Sequence, residues 1–123
     1  RCFRIYQLDF DAEPTIPFAF LGIEALHKAG FKQPPAAKYR LVCEDSIRVP
    51  LEQQNDEILQ RLFIRYSTPQ EDSPKRCLAP SDVVELHDET QRLYFYRDFE
   101  AFVPVRFSPA FAKPIAERQS DNG

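Results

Sequence analysis

Two runs of strand-forming residues, "DVVELH" (82–87) and "RLYFY" (92–96), stand either side of the polar stretch "DETQ". That spacing predicts a β-hairpin, and the rest of the chain must supply something for its apolar side chains to pack against. Ahead of it "FRIYQLDF" predicts a strand over residues 3–8, which "DAEPTIP" breaks with two prolines. Phe18, Leu21, Ala25, Leu26 and Ala29 then recur at helical spacing, with Gly30 where a helix C-cap belongs. "YRLVCE" predicts a second strand with Tyr39, Leu41 and Cys43 on one face and Arg40, Val42 and Glu44 on the other. The clearest helix follows Pro50: Ile58, Leu59, Leu62, Phe63 and Tyr66 form one stripe, and Asp56 and Glu57 suit its positive N-terminus. "TPQEDSPKR" is a loop, and Ala101 to Val105 adds a further short strand.

The order is therefore β-α-β-α-β-β with one strand more. It predicts an α+β fold: a small, mostly antiparallel sheet of four or five strands, with both helices on one face to bury their stripes. A chain of 123 residues holds one such domain, expected over residues 1–107. Residues 108–123, with two prolines and a polar finish, are expected to be loosely held or disordered, with Phe107 and Phe111 docked.

Composition removes several function classes. The net charge of −3 argues against a basic nucleic-acid binder and against mimicry of DNA by charge alone. No apolar run reaches the roughly 18 residues that span a bilayer, and no signal-peptide pattern opens the chain. Methionine is absent even at position 1, which reads as a processed or trimmed N-terminus. Cys2, Cys43 and Cys77 are odd in number and widely spaced, which favours free thiols in a reducing compartment, here the cytoplasm. With glycine only at positions 22, 30 and 123, no phosphate-cradling glycine loop can form.

Groups that could carry chemistry each have a plainer reading. His27 sits at a helix end and His87 beside a turn, neither with an orienting partner in sequence. The thiols read as small buried hydrophobes. Asp9, Asp11 and Glu13 alternate as carboxylates around Mg²⁺ or Ca²⁺ do, but Pro14 stands where a calcium loop needs glycine; a solvated strand exit is the simpler reading. No catalytic residue, metal or cofactor is expected.

The aromatic group is the more distinctive feature. Alternation sets Tyr94 and Tyr96 on the face opposite Phe95, near Glu85 and His87, with Arg97 and Phe99 following. Tyrosine contributes large area with a polar tip at interfaces, so these six residues are the candidate partner-binding surface. A second packed face beneath the C-terminal tail is the alternative, and both readings stand. Stacking on single-stranded nucleic acid wants more positive charge than Arg92 and Arg97 supply against Glu89, Asp98 and Glu100.

Together "RIYQL", "LQRLFIRYSTP", "LAPSDVVELHD", "LYFYRDFEAF" and "VPVRF" resemble the YodL-like family of small bacterial domains found in conjugative elements and phages. Ser81-Asp82-Val83-Val84-x-Leu86 is the most specific part; Ala101 stands where the family usually has glycine. The resemblance implies no catalytic residues and a place among mobile-element accessory proteins, some of which counter host defence. Pro80, Ser81 and Asp82 read as a structural turn: Pro80 restricts its predecessor, and the two side chains can bond nearby backbone N–H groups. The expected function is a non-enzymatic inhibitor that occupies a protein surface of a CRISPR effector or restriction component. The alternatives are a regulator of a bacterial cytoskeletal protein or, behind it, a small enzyme or nucleic-acid binder.

Overall fold

A computed structural model describes residues 1–50, 52–69 and 76–116. Along the chain run β1 (Cys2–Leu8), α1 (Ile23–Lys28), β2 (Tyr39–Ser46), α2 (Asn55–Arg65), β3 (Val83–His87), β4 (Arg92–Arg97) and β5 (Phe102–Val105). All strand pairs are antiparallel, in the order β2-β1-β3-β4-β5. The α+β class and the small antiparallel sheet are as expected from the sequence.

The β3–β4 hairpin pairs Val83 with Tyr96 through His87 with Arg92. Asp88 closes its turn: Oδ1 accepts hydrogen bonds from Thr90 N and Oγ1, both at 2.8 Å, and from Gln91 N at 3.0 Å. These bonds favour the ionised carboxylate and hold the Asp88 pKa below the ordinary range.

The helices do not share a face. Strand β3 is buried from Val83 through Leu86, so both of its faces need cover. On one side Phe3, Ile5, Val84, Leu86 and Phe95 pack with Ile58, Leu59 and Leu62 of α2. On the other, Tyr6, Leu8, Tyr39, Val83 and Tyr96 pack with Leu26 of α1 and with Phe107. One-sided cover would leave Val83 and Tyr96 in water, which corrects the sequence expectation. A second correction concerns β2. Ile5 pairs with Cys43 and Tyr6 with Leu41, so Val42 is an extra, bulged residue, and Cys43 packs on the α2 side while Tyr39 and Leu41 pack on the other.

Helix α1 begins at Ile23, not Phe18, because Phe18 to Leu21 turn instead of coiling. It ends in a Schellman motif: Gly30, at φ +96°, donates to His27 O, and Phe31 N donates to Leu26 O. The chain beyond residue 107 is not loose where it is described. Lys113 bridges β2, donating to Tyr39 O and accepting from Leu41 N, both at 2.9 Å. Arg40 Nη1 donates to Pro114 O. Phe107 is buried among the rings of Tyr6, Tyr39 and Tyr94, whereas Phe111 is exposed rather than docked. Residues 117–123 lie outside the described residues.

Residues 107–114 thus form a strap that supplies the missing cover for the α1 side of the sheet. Phe107→Ala is expected to destabilise the fold by about 3 kcal/mol, read as a lower urea midpoint, since a buried aromatic is removed without replacement. A loss under about 1 kcal/mol would mean that the strap is not part of the core.

Candidate functional site

The C-terminal ends of β1 and β4 and the start of β3 lie at one end of the sheet. Ala79 to Asp82 form the turn into β3: Asp82 N donates to Ala79 O, Pro80 takes the second position, and Ser81 the third at φ +80°. Glycine normally fills that third position, because a side chain there crowds the backbone. Ser81 is held in place by three bonds. Its N–H donates to Arg97 O at 3.0 Å, its carbonyl accepts from Tyr39 Oη at 2.7 Å, and its Oγ accepts from Phe20 N at 3.1 Å.

Phe20 is itself at φ +60°, so both non-glycine residues found in the left-handed region, among those described, are bonded to each other. A bulky residue there costs on the order of 1 kcal/mol or more and persists only where neighbours enforce it. Three side chains, from the turn into β3, from β4 and from the β4–β5 turn, do so for residues 20–23. Besides the Ser81 bond, Tyr96 Oη donates to Leu21 O at 3.0 Å, and Ile23 N donates to Asp98 Oδ1 at 3.1 Å. Gly22 makes the approach feasible, since a Cβ there would collide with the Asp98 carboxylate and the Phe99 ring.

What this scaffold displays is apolar. Phe20 is 45% exposed, Leu21 40% and Phe99 61%. The Phe20 ring lies 5.5 Å from that of Phe10, and the Arg76 guanidinium sits 5.0 and 5.4 Å from the two ring centres. Between Leu21 and Phe99 a shallow concavity of about 420 Å³ runs along Ala25 and Lys28. Glu24 and Asp98 are its acidic lining residues, with Lys28 drawn onto Glu24 at 3.3 Å.

The six residues expected to form a binding surface divide sharply. Phe99 is exposed. Tyr96, Glu85 and Arg97 are buried, Tyr94 is half-buried against Phe107, and His87 is half-buried beside Glu85, Nδ1 to Oε2 at 2.8 Å. They cannot form an open tyrosine face, because the strap lies across it. Their roles are internal instead. Tyr96 tethers Leu21, and burial pushes its hydroxyl pKa well up. Arg97 lies 3.9 Å from the Phe63 ring centre and 5.0 Å from that of Phe102, and donates to Phe99 O, fixing the turn that exposes Phe99. Missed from sequence were Phe20, which fell outside the helical stripe, and Leu21, which was read as part of it. The two prolines before them and the glycine after them were the available signal.

Other candidate groups stay apart. Asp9 pairs with Arg40 at 3.2 Å and Lys113 at 3.7 Å, and Glu13 pairs with Lys38 at 2.7 Å. No cluster of three potential metal ligands occurs among the described residues. His27 is exposed on α1, Cys2 is exposed, and Cys43 Sγ lies 3.5 Å from Tyr66 Oη. No helix among the described residues is long and apolar enough to cross a membrane.

The strained turn and the hairpin that follows it are the segment on which the sequence resemblance rested, and a family profile, the YodL-like domain, matches residues 2–107. The chain belongs to the YodL-like domain family. The matched span covers all five strands and both helices of this YodL-like domain and ends at Phe107. No curated protein matches the chain, and no solved structure does.

Beneath the turn lies a titratable group. Asp82 is fully buried; Oδ2 accepts from Ala79 N at 2.9 Å and Gln7 Nε2 at 3.0 Å, while Oδ1 stands 4.0 Å from Arg76 with no hydrogen bond. Burial outweighs these bonds and raises the carboxyl pKa from 3.8 to about 7. The folded protein therefore holds this proton more tightly than the unfolded chain, and the group's stabilising contribution is lost as the pH rises from about 4 to about 7. Asp82→Asn should remove that loss. Its unfolding free energy relative to wild type is expected to rise by about 1 kcal/mol per unit between pH 5 and 7, measured by urea denaturation. A flat difference would show that Asp82 is ionised throughout.

Proposed function

We propose that this YodL-like domain is a non-enzymatic protein-binding module whose docking surface is the patch of Phe20, Leu21 and Phe99. The observation that carries this reading is the backbone of Phe20: an aromatic is held in an unfavourable conformation by side chains of three other segments, and is left nearly half exposed. Strain kept at a solvent-facing aromatic is explained by recognition better than by packing, since a buried ring would stabilise the fold more. The acidic side chains of Glu24 and Asp98 in the lining of the adjoining concavity call for a partner segment whose apolar anchor is flanked by basic residues.

In its concrete form, the domain occupies the surface of a bacterial defence protein, a CRISPR effector or restriction component, and blocks it in the cytoplasm. The mobile-element association implied by the sequence resemblance supports that partner class. Co-elution of the purified chain with such effectors on gel filtration tests it. Phe20→Ala and Phe99→Ala are each expected to weaken the complex by about 2 kcal/mol, roughly thirtyfold, as central aromatic anchors do, while shifting the melting temperature little. Unchanged affinity in both variants would overturn the assigned surface. Binding only to an actin-like filament, with defence activity intact, would overturn the partner class.

A further inference from the structure

At the opposite end of β4 the local charge inverts. A concavity of about 460 Å³ lies between β4, β5 and residues 106–108, within the size range of small-molecule sites. Its only charged lining residues are Arg92 and Arg106, although the chain as a whole carries −3. Neither guanidinium donates a hydrogen bond to any described residue. Arg92 Nη1 stands 4.0 Å from Glu85 Oε1, beyond hydrogen-bonding distance, and Arg106 pairs with no carboxylate among the described residues. Glu85, beside Arg92, has no accessible surface, and its Oε2 lies 2.8 Å from His87 Nδ1 and 3.8 Å from Arg4 Nε. It orients Arg92 by charge while leaving the N–H groups of that guanidinium unused. Ser108 Oγ, also in the lining, accepts a long bond of 3.4 Å from Gln33 and keeps its own hydrogen to donate. Tyr94, Pro104 and Val105 supply an apolar floor.

We propose that this concavity binds a small phosphate-bearing molecule. Arg92 and Arg106 both line it and donate to no described residue, and a guanidinium's forked donors suit a phosphate better than an ammonium does. The apolar floor suits the ring of a nucleoside or sugar. This is recognition by side chains and needs no glycine loop. It is independent of the apolar docking patch, which lies at the other end of β4.

The full chain, isotopically labelled, is titrated with AMP, glucose 6-phosphate and inorganic pyrophosphate, and its amide resonances are followed. Saturable shifts at Gln33, Arg106 and Ser108 with any of the three support the site, and the strongest of the three identifies the source of the phosphate. Arg92→Gln and Arg106→Gln, both at exposed positions, should each weaken that ligand about tenfold with resonances elsewhere unchanged. Three results would overturn the proposal: no saturation up to about 10 mM, weaker than any specific site of this kind; undiminished affinity in both variants; or binding of a single-stranded oligonucleotide but of none of the three small molecules.

Discussion

The hydrogen bonds that converge on Ser81 fix the relation between the two sides of the sheet. Through its N–H the residue ties the start of β3 to the end of β4, through its carbonyl it meets Tyr39 of β2, and through its hydroxyl it reaches Phe20. A serine at φ +80° is unfavourable alone, so the turn depends on these partners and they depend on it. Glycine at this position would relax the backbone and leave the Phe20 N–H without its acceptor. That trade explains why a residue with a hydroxyl, not the least strained residue, suits the turn.

Two-sided burial follows from the same part of the chain. With Val83 and Val84 pointing to opposite faces, β3 lies between two cores, and each needs its own roof. Helix α2 is long enough to roof one. Six-residue α1 is not, and the strap with Phe107 completes the other. The strap also converts tyrosines that alternation alone would expose into internal fasteners. Tyr96 and Tyr39 each direct a hydroxyl to a backbone carbonyl at the end of the sheet where residues 20–23 are held.

Much of this was legible in the sequence. The hairpin, the stripe of α2, the Gly30 cap and the bend at Pro80–Asp82 rest on local rules of periodicity and turn chemistry, and they appear where those rules put them. What local rules could not reach were the consequences of long-range packing. Phe18 and Leu21 fit a helical stripe, yet tertiary bonds from Ser81 and Tyr96 draw that stretch into turns. The bulge at Val42 shifts Cys43 to the other face, and a single extra residue in a ladder leaves no mark in an alternating pattern. The proline-bearing strap resembled a tail because its bonds reach back to β2, some seventy positions away.

The segment of residues 20–23 also has a consequence in time. Its three pins come from residues 61 to 75 positions further along the chain. Contacts of such separation form late, after the costly loop closures that assemble a sheet. An incomplete chain emerging from the ribosome cannot present Phe20 and Leu21 in their final arrangement until Asp98 has been made and β4 has docked. The exposed patch thereby exists in its final form only on a fully folded molecule.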